Sequence, residues 1–128
     1  MNEAIREVLG EAGAPPLPEP LAGSIVDSHT HLDTVQDVVG IEPAISLAAA
    51  REVGVIRIAQ IGCDIAGSEF AEELARTHKN VIAAVAIHPN DAARLGRKKI
   101  GDALKRIDEL ANVGNHVRAI GELSLIHI

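Results

Sequence analysis

Residues 27–33 read Asp-Ser-His-Thr-His-Leu-Asp, which sets Asp27, His29, His31 and Asp33 at alternate positions. In an extended chain alternate side chains share one face, so four polar groups fall together. Within a parallel sheet that face is ordinarily apolar, because both surfaces are covered, and the desolvation of these groups calls for compensation. Two imidazoles at i and i+2 can converge on one cation at about 2.0–2.1 Å, while the neighbouring carboxylates Asp27 and Asp33 orient the rings and raise their basicity. The plainer alternative is a solvated loop that happens to hold two histidines. The β-branched run upstream and the flanking aspartates favour the metal reading. Two further segments point the same way: His88-Pro89-Asn90-Asp91 follows one β-branched run, and Gly121-Glu122 follows another. Each feature alone is unspecific. Together they would place His29, His31, His88 and Glu122 at the carboxyl ends of successive strands, where α/β folds gather their chemistry. Arg94, Arg97, Lys98 and Lys99 follow His88 closely and are either a solvated loop cluster or a set of phosphate contacts. Cys63, His78 and His116 read as a small strand-end residue and two surface histidines.

The elements that must position these residues begin near Leu21. Residues 1–13 carry Ile5, Val8 and Leu9 at helical spacing, a short amphipathic helix with no partner in its own segment and therefore expected to fray. Pro15, Pro16, Pro18 and Pro20 then favour an extended linker, so residues 1–20 read as a leader and residues 21–128 as the folded part. From Ser24 on, strands expected over 24–29, 55–61, 81–87 and 117–121 alternate with helices over 43–52, 68–77 and 100–111. Pro43 suits a first helical position, Ser68 a cap, and Gly54 and Gly114 two stops. Strict alternation marks βαβ units and a parallel sheet. Four strands and three helices make either a small doubly wound sheet or half of a (β/α)₈ barrel. A full barrel takes about 250 residues, so on the barrel reading this chain is its N-terminal half.

Composition removes several other classes. The chain has 128 residues and a formal net charge of −6, which suits one acidic domain. No apolar run is long enough to span a membrane. Met1 to Gly10 carries Glu3 and Glu7 and lacks the basic flank and apolar stretch of a secretory signal, so a cytoplasmic location is expected. The single cysteine excludes an internal disulfide and a Cys-rich zinc module, leaving six histidines as the soft ligands. A pI near 5.4 argues against nucleic-acid binding through a broad basic surface, but not against an enzyme that grips phosphates through metal ions. Phe70 is the only aromatic residue of the Phe, Tyr and Trp class, so the core must be aliphatic.

On these residues the sequence resembles the TatD family of metal-dependent hydrolases, within the wider amidohydrolase-like group of barrels. Val26 to Asp33 is similar to its first metal motif. Ile61-Gly62-Cys63-Asp64 falls where its second strand ends, Ile87-His88-Pro89 resembles its third-strand motif, and Ala119-Ile120-Gly121-Glu122 the start of its fourth. The resemblance implies a deoxyribonuclease that hydrolyses phosphodiester bonds of DNA with two divalent metal ions, Mg, Mn or Zn. It implies His29 and His31 as ligands of one metal, Glu122 as bridging ligand and catalytic carboxylate, and His88 as a group meeting substrate phosphate; from the basic cluster after His88, Arg97 and Lys98 are the candidate further phosphate contacts. After Glu122 the family's Gly-Leu-Asp and aromatic residues are replaced by Leu123 to Ile128, with only Leu125 in agreement, and its later ligands, two histidines and an aspartate, have no counterpart. His127 lies in this divergent tail and is no substitute. The expectation is therefore a barrel truncated after its fourth strand, as a frameshift, a fragmentary gene or a cloning boundary would give, and inactive by itself. The alternatives are a related hydrolase acting on amide or ester bonds, a non-catalytic metal-binding fragment, or no biological product.

Overall fold

The β-branched and Ala-rich segments alternate in three dimensions as they do in sequence. In the computed structural model, which describes residues 3–121, the order is α1 (Glu3–Glu11), β1 (Ile25–Thr30), α2 (Leu32–Val39), α3 (Pro43–Glu52), β2 (Val55–Ile61), α4 (Ile65–Thr77), β3 (Val81–Val85), α5 (Pro89–Ala111) and β4 (Val117–Ile120). The four strands are parallel and follow the order β1-β2-β3-β4 in one open sheet, as in a partial (β/α)₈ barrel. Between β3 and β4, Ala83 pairs with Val117, Ala84 with Ala119 and Val85 with Ile120, with a register shift between Ala83 and Ala84. No helix among the described residues is long and apolar enough to cross a membrane.

The chain divides into two compact units, residues 1–58 and 59–128. In the first, α1 has a partner that its own segment does not reveal. Ile5 and Leu9 are buried with Ile41 and Ala49, and Leu17 of the proline-rich segment packs partly against the same cluster. Burial of such aliphatic side chains is worth about 1.5–3 kcal/mol each at most, which offsets the poor intrinsic stability of a nine-residue helix. α2 is a helix that the alternating reading of residues 27–33 does not anticipate. It starts directly after His31 and stops at Gly40, whose φ of +75° is the left-handed conformation that favours glycine, with its N–H donating to Gln36 O.

In the second unit, α4 covers β3, and α5 packs Ile107 and Leu110 against Val85. The start of α4 corrects the expected cap. Asp64, not Ser68, is the N-cap: its Oδ1 accepts the Gly67 N–H at 2.7 Å, and the helix begins at Ile65. Ser68 is fully buried and serves another purpose. Its hydroxyl donates to Ala86 O and accepts from Ala86 N–H, each at 3.0 Å, satisfying both backbone groups just past the end of β3. β3 itself ends at Val85, two residues earlier than expected, because Ala86 bonds sideways to α4 and leaves the strand ladder. Ser68→Ala would strip both partners from buried backbone groups, each costing about 1–3 kcal/mol. We expect a loss of about 2–6 kcal/mol, read as a lower urea midpoint at unchanged slope, whereas Ser46→Ala on α3 should leave the midpoint near its parent value.

α5 starts at Pro89, eleven residues before the expected Ile100, with Pro89 in the first helical turn and His88 as its cap. Arg94, Arg97, Lys98 and Lys99 are therefore on this helix and not in a loop. The expected strands 24–29 and 117–121 are shifted or shortened by a residue, while β2 and α3 have the expected bounds.

Candidate functional site

β1 carries Asp27 and His29 two residues apart, and the strand ends at Thr30. The Asp27 carboxylate accepts the His29 backbone N–H through Oδ1 at 3.0 Å and so fixes the main chain that carries the first imidazole. His31 has left the strand: with φ −131° and ψ 71° it is the residue before α2, its carbonyl accepts the Val35 N–H at 3.2 Å, and its imidazole does not cap the helix. Asp33 lies in the first turn of α2. The extended alternation thus covers only Asp27 and His29. A turn of the chain, not the strand pleat, returns the His31 ring to its neighbour.

The two rings meet edge to face, with centroids 5.0 Å apart and planes at 72°, and their Nε2 atoms are 3.2 Å apart. Two nitrogens at that separation, each about 2.0–2.1 Å from a common ion, subtend roughly 100° there, between the octahedral and tetrahedral angles. The donor pair fits a divalent transition ion, for which neutral imidazole is a suitable ligand. Among the described residues no group of three or more His, Cys, Asp and Glu is placed to hold a metal. Glu122, the expected bridging and catalytic carboxylate, lies outside the described residues, as does His127.

In the second unit, His88 follows β3 and caps α5. Its backbone N–H donates to Cys63 O at 2.6 Å, tying it to the segment after β2, and its Nδ1 accepts the Asn90 N–H at 3.2 Å. An Nδ1 that accepts leaves the proton of a neutral imidazole on Nε2. Arg94 Nη1 donates to Asp91 Oδ1 at 3.0 Å, whereas Arg97 and Lys98 are exposed on the following turn of α5.

The two other described histidines, His78 and His116, have partners away from this pair. His78 Nδ1 lies 3.2 Å from Leu74 O and 2.9 Å from Thr77 Oγ1 at the end of α4. His116 Nε2 pairs with Glu72 Oε1 at 2.7 Å, and Arg76 reaches the same oxygen at 3.3 Å. Arg106 joins α5 to α4 through Glu69 at 2.8 Å and also meets Glu109 at 3.1 Å. These hydrogen bonds, Glu69 first, hold its guanidinium above its ordinary pKa. Two residues escaped the sequence reading. Gln60 is fully buried on β2, a polar residue inside an aliphatic strand, and Ser68 looked like a cap because it precedes an apolar stripe.

The open parallel α/β sheet, with His29 on its first strand and His31 just beyond it, is the layout of a partial (β/α)₈ barrel. The model of the family described as TatD related DNase matches residues 26–125, and the chain belongs to that family, whose members are metal-dependent hydrolases. No curated protein gives a significant match to the chain.

Proposed function

We propose that this chain carries the first metal ligands and part of the substrate contacts of a deoxyribonuclease. The observation that supports this most is the 3.2 Å approach of His29 Nε2 to His31 Nε2 at the end of β1, inside the family-matched segment. In this reading His29 and His31 would hold one divalent ion, with Asp27 and Asp33 supporting them, and Glu122 would supply the carboxylate shared with a second. Bound divalent ions supply a hydroxide nucleophile and stabilise charge on the phosphoryl and leaving oxygens. His88 donates from Nε2–H to a non-bridging phosphate oxygen, a role its Nδ1 bond to Asn90 prepares by fixing the tautomer. Arg97 and Lys98 attract the flanking phosphates. The ions are Mg, Mn or Zn, and the cytoplasmic location expected from the N-terminal sequence belongs to the same reading.

The test is calorimetric titration of the chain with zinc or manganese. One ion per chain is expected at the histidine pair, with affinity at least about tenfold weaker in the His29→Ala, His31→Ala double variant, since each removes a ligand. Affinity unchanged in that variant, with its fold intact by circular dichroism, would remove the pair from the metal site.

A further inference from the structure

α5 is a 23-residue helix interrupted at Gly96, where φ is +68° and ψ 175°. That combination is open essentially only to glycine, so the break is built into the sequence. It separates residues 89–95 from 97–111 and changes where their side chains lead. Four cations, Arg94, Arg97, Lys98 and Lys99, fall within six positions around it, in a chain of net charge −6. Beside the break, Arg94, Leu95 and Lys99 line a groove of about 340 Å³, together with Ile65 and Ala66 of α4. Two carboxylates also line it, and both are engaged: Asp64 caps α4 through the Gly67 N–H, and Asp91 accepts from Arg94. The Arg94 guanidinium keeps further N–H donors beyond the one given to Asp91.

We propose that this groove binds single-stranded DNA beyond the scissile bond, with a base on the apolar floor of Ile65, Ala66 and Leu95 and adjacent phosphates on Arg94 and Lys99. The inference rests on the deoxyribonuclease reading and deepens it. A groove of this volume accommodates a nucleotide of a flexible strand, whereas a duplex keeps its bases stacked inside and offers only its backbone. The chain's net charge of −6 repels a polyanion overall, so the local basic cluster is where one can approach. With no aromatic platform lining the groove, phosphate contacts dominate, and binding is modest and steeply salt-dependent.

The test is fluorescence anisotropy of a labelled oligothymidylate with the 128-residue chain in EDTA, where the metal pair takes no part. Lys99→Ala should lower the slope of log affinity against log salt by about 0.7, and Arg94→Ala with Lys99→Ala by about 1.4. Gly96→Ala keeps every charge, and although nothing lies within 4 Å of the added Cβ, alanine is strained at this φ of +68°, so the substitution disturbs the break that sets Arg94 and Lys99 beside the groove. It should weaken binding about as much as Lys99→Ala does while helix content by circular dichroism is retained. Lys79→Ala, at the other end of β3, should bind as the parent does. Absence of binding in EDTA, equal loss in Lys79→Ala, or parental binding by Gly96→Ala would each overturn the proposal. Failure of the metal reading would show in the calorimetric titration instead.

Discussion

Gly62→Ala is expected to remove most of the stability of the second unit. Gly62 follows β2 directly, where α4 turns back across the sheet, and an added Cβ would lie 2.4 Å from Ser68 Oγ, 2.5 Å from Ser68 Cα and 2.6 Å from Ser68 N. Two of those three atoms are backbone, so no rotamer change relieves the overlap and α4 must move as a body. Overpacking of this kind costs about 1–3 kcal/mol and more where the backbone resists. Moving α4 also draws the Ser68 hydroxyl from Ala86, exposing that pair to the penalty of unsatisfied buried groups, about 1–3 kcal/mol each. The sum, about 3–9 kcal/mol, is a large share of the roughly 5–15 kcal/mol that holds a domain together. Urea denaturation should show the midpoint falling by half or the cooperative transition lost. Ser68→Gly in the same chain should not restore it, because the clash with Cα and N remains. A Gly62→Ala chain melting like its parent would show that α4 does not rest on this contact.

The parts of the fold legible in the sequence are those where pattern and punctuation agree. Pro43 at the start and the turn at Val53-Gly54 after the end bracket α3, and the β-branched run from Val55 to Ile61 is β2 as read. Where two signals compete, the reading follows the wrong one. Leu32, Val35 and Val39 with Gly40 are a helical stripe and its stop, yet the alternation of Asp27, His29, His31 and Asp33 suggests an extended chain through the same residues. Helix won from Leu32 onward because the first turn there has its own bonds, beginning with Val35 N–H to His31 O. In α5 the Arg-Leu-Gly-Arg-Lys-Lys run resembles a loop, but Pro89 had already set helical geometry, and Gly96 breaks the helix without ending it. For the site, the spacing of His29 and His31 pointed to convergence, though the strand pleat is not what produces it. The tautomer-setting contact from His88 to Asn90 and the second role of Ser68 depend on where α5 and α4 begin, and helix starts are the features that local patterns define least sharply.

DNA hydrolysis is expected from a chain continued through four further βα units, and not from the 128 residues alone. Two-metal hydrolysis needs its ions about 3.5–4 Å apart, so that attacking and leaving oxygens are stabilised together. The described residues bring together two imidazoles, and among them no third His, Cys, Asp or Glu joins a metal-holding group. On the proposed reading His29, His31 and Glu122 would account for one ion and half of a bridge, and the later histidines and aspartate that the resemblance implies would have to come from the added strands. Groups acting as a unit fail together, so a site lacking several ligands loses most of its acceleration at once. Release of nucleotides from labelled single-stranded DNA with magnesium or manganese should therefore be seen for the continued chain only. Within it, His29→Ala with His31→Ala should lower turnover by at least about 10³-fold, and Glu122→Ala by a similar factor, the two sets combined costing little more than either. His88→Gln should have a smaller effect, about tenfold to a hundredfold, because an amide can still donate to a phosphate oxygen. Comparable turnover by the 128-residue chain, lost on Glu122→Ala, would show that the visible residues suffice. Cleavage of an ester or amide by the continued chain, with DNA left intact, would keep the metal pair and replace the substrate, because both chemistries require a metal-activated nucleophile and differ in the groups that hold what it attacks.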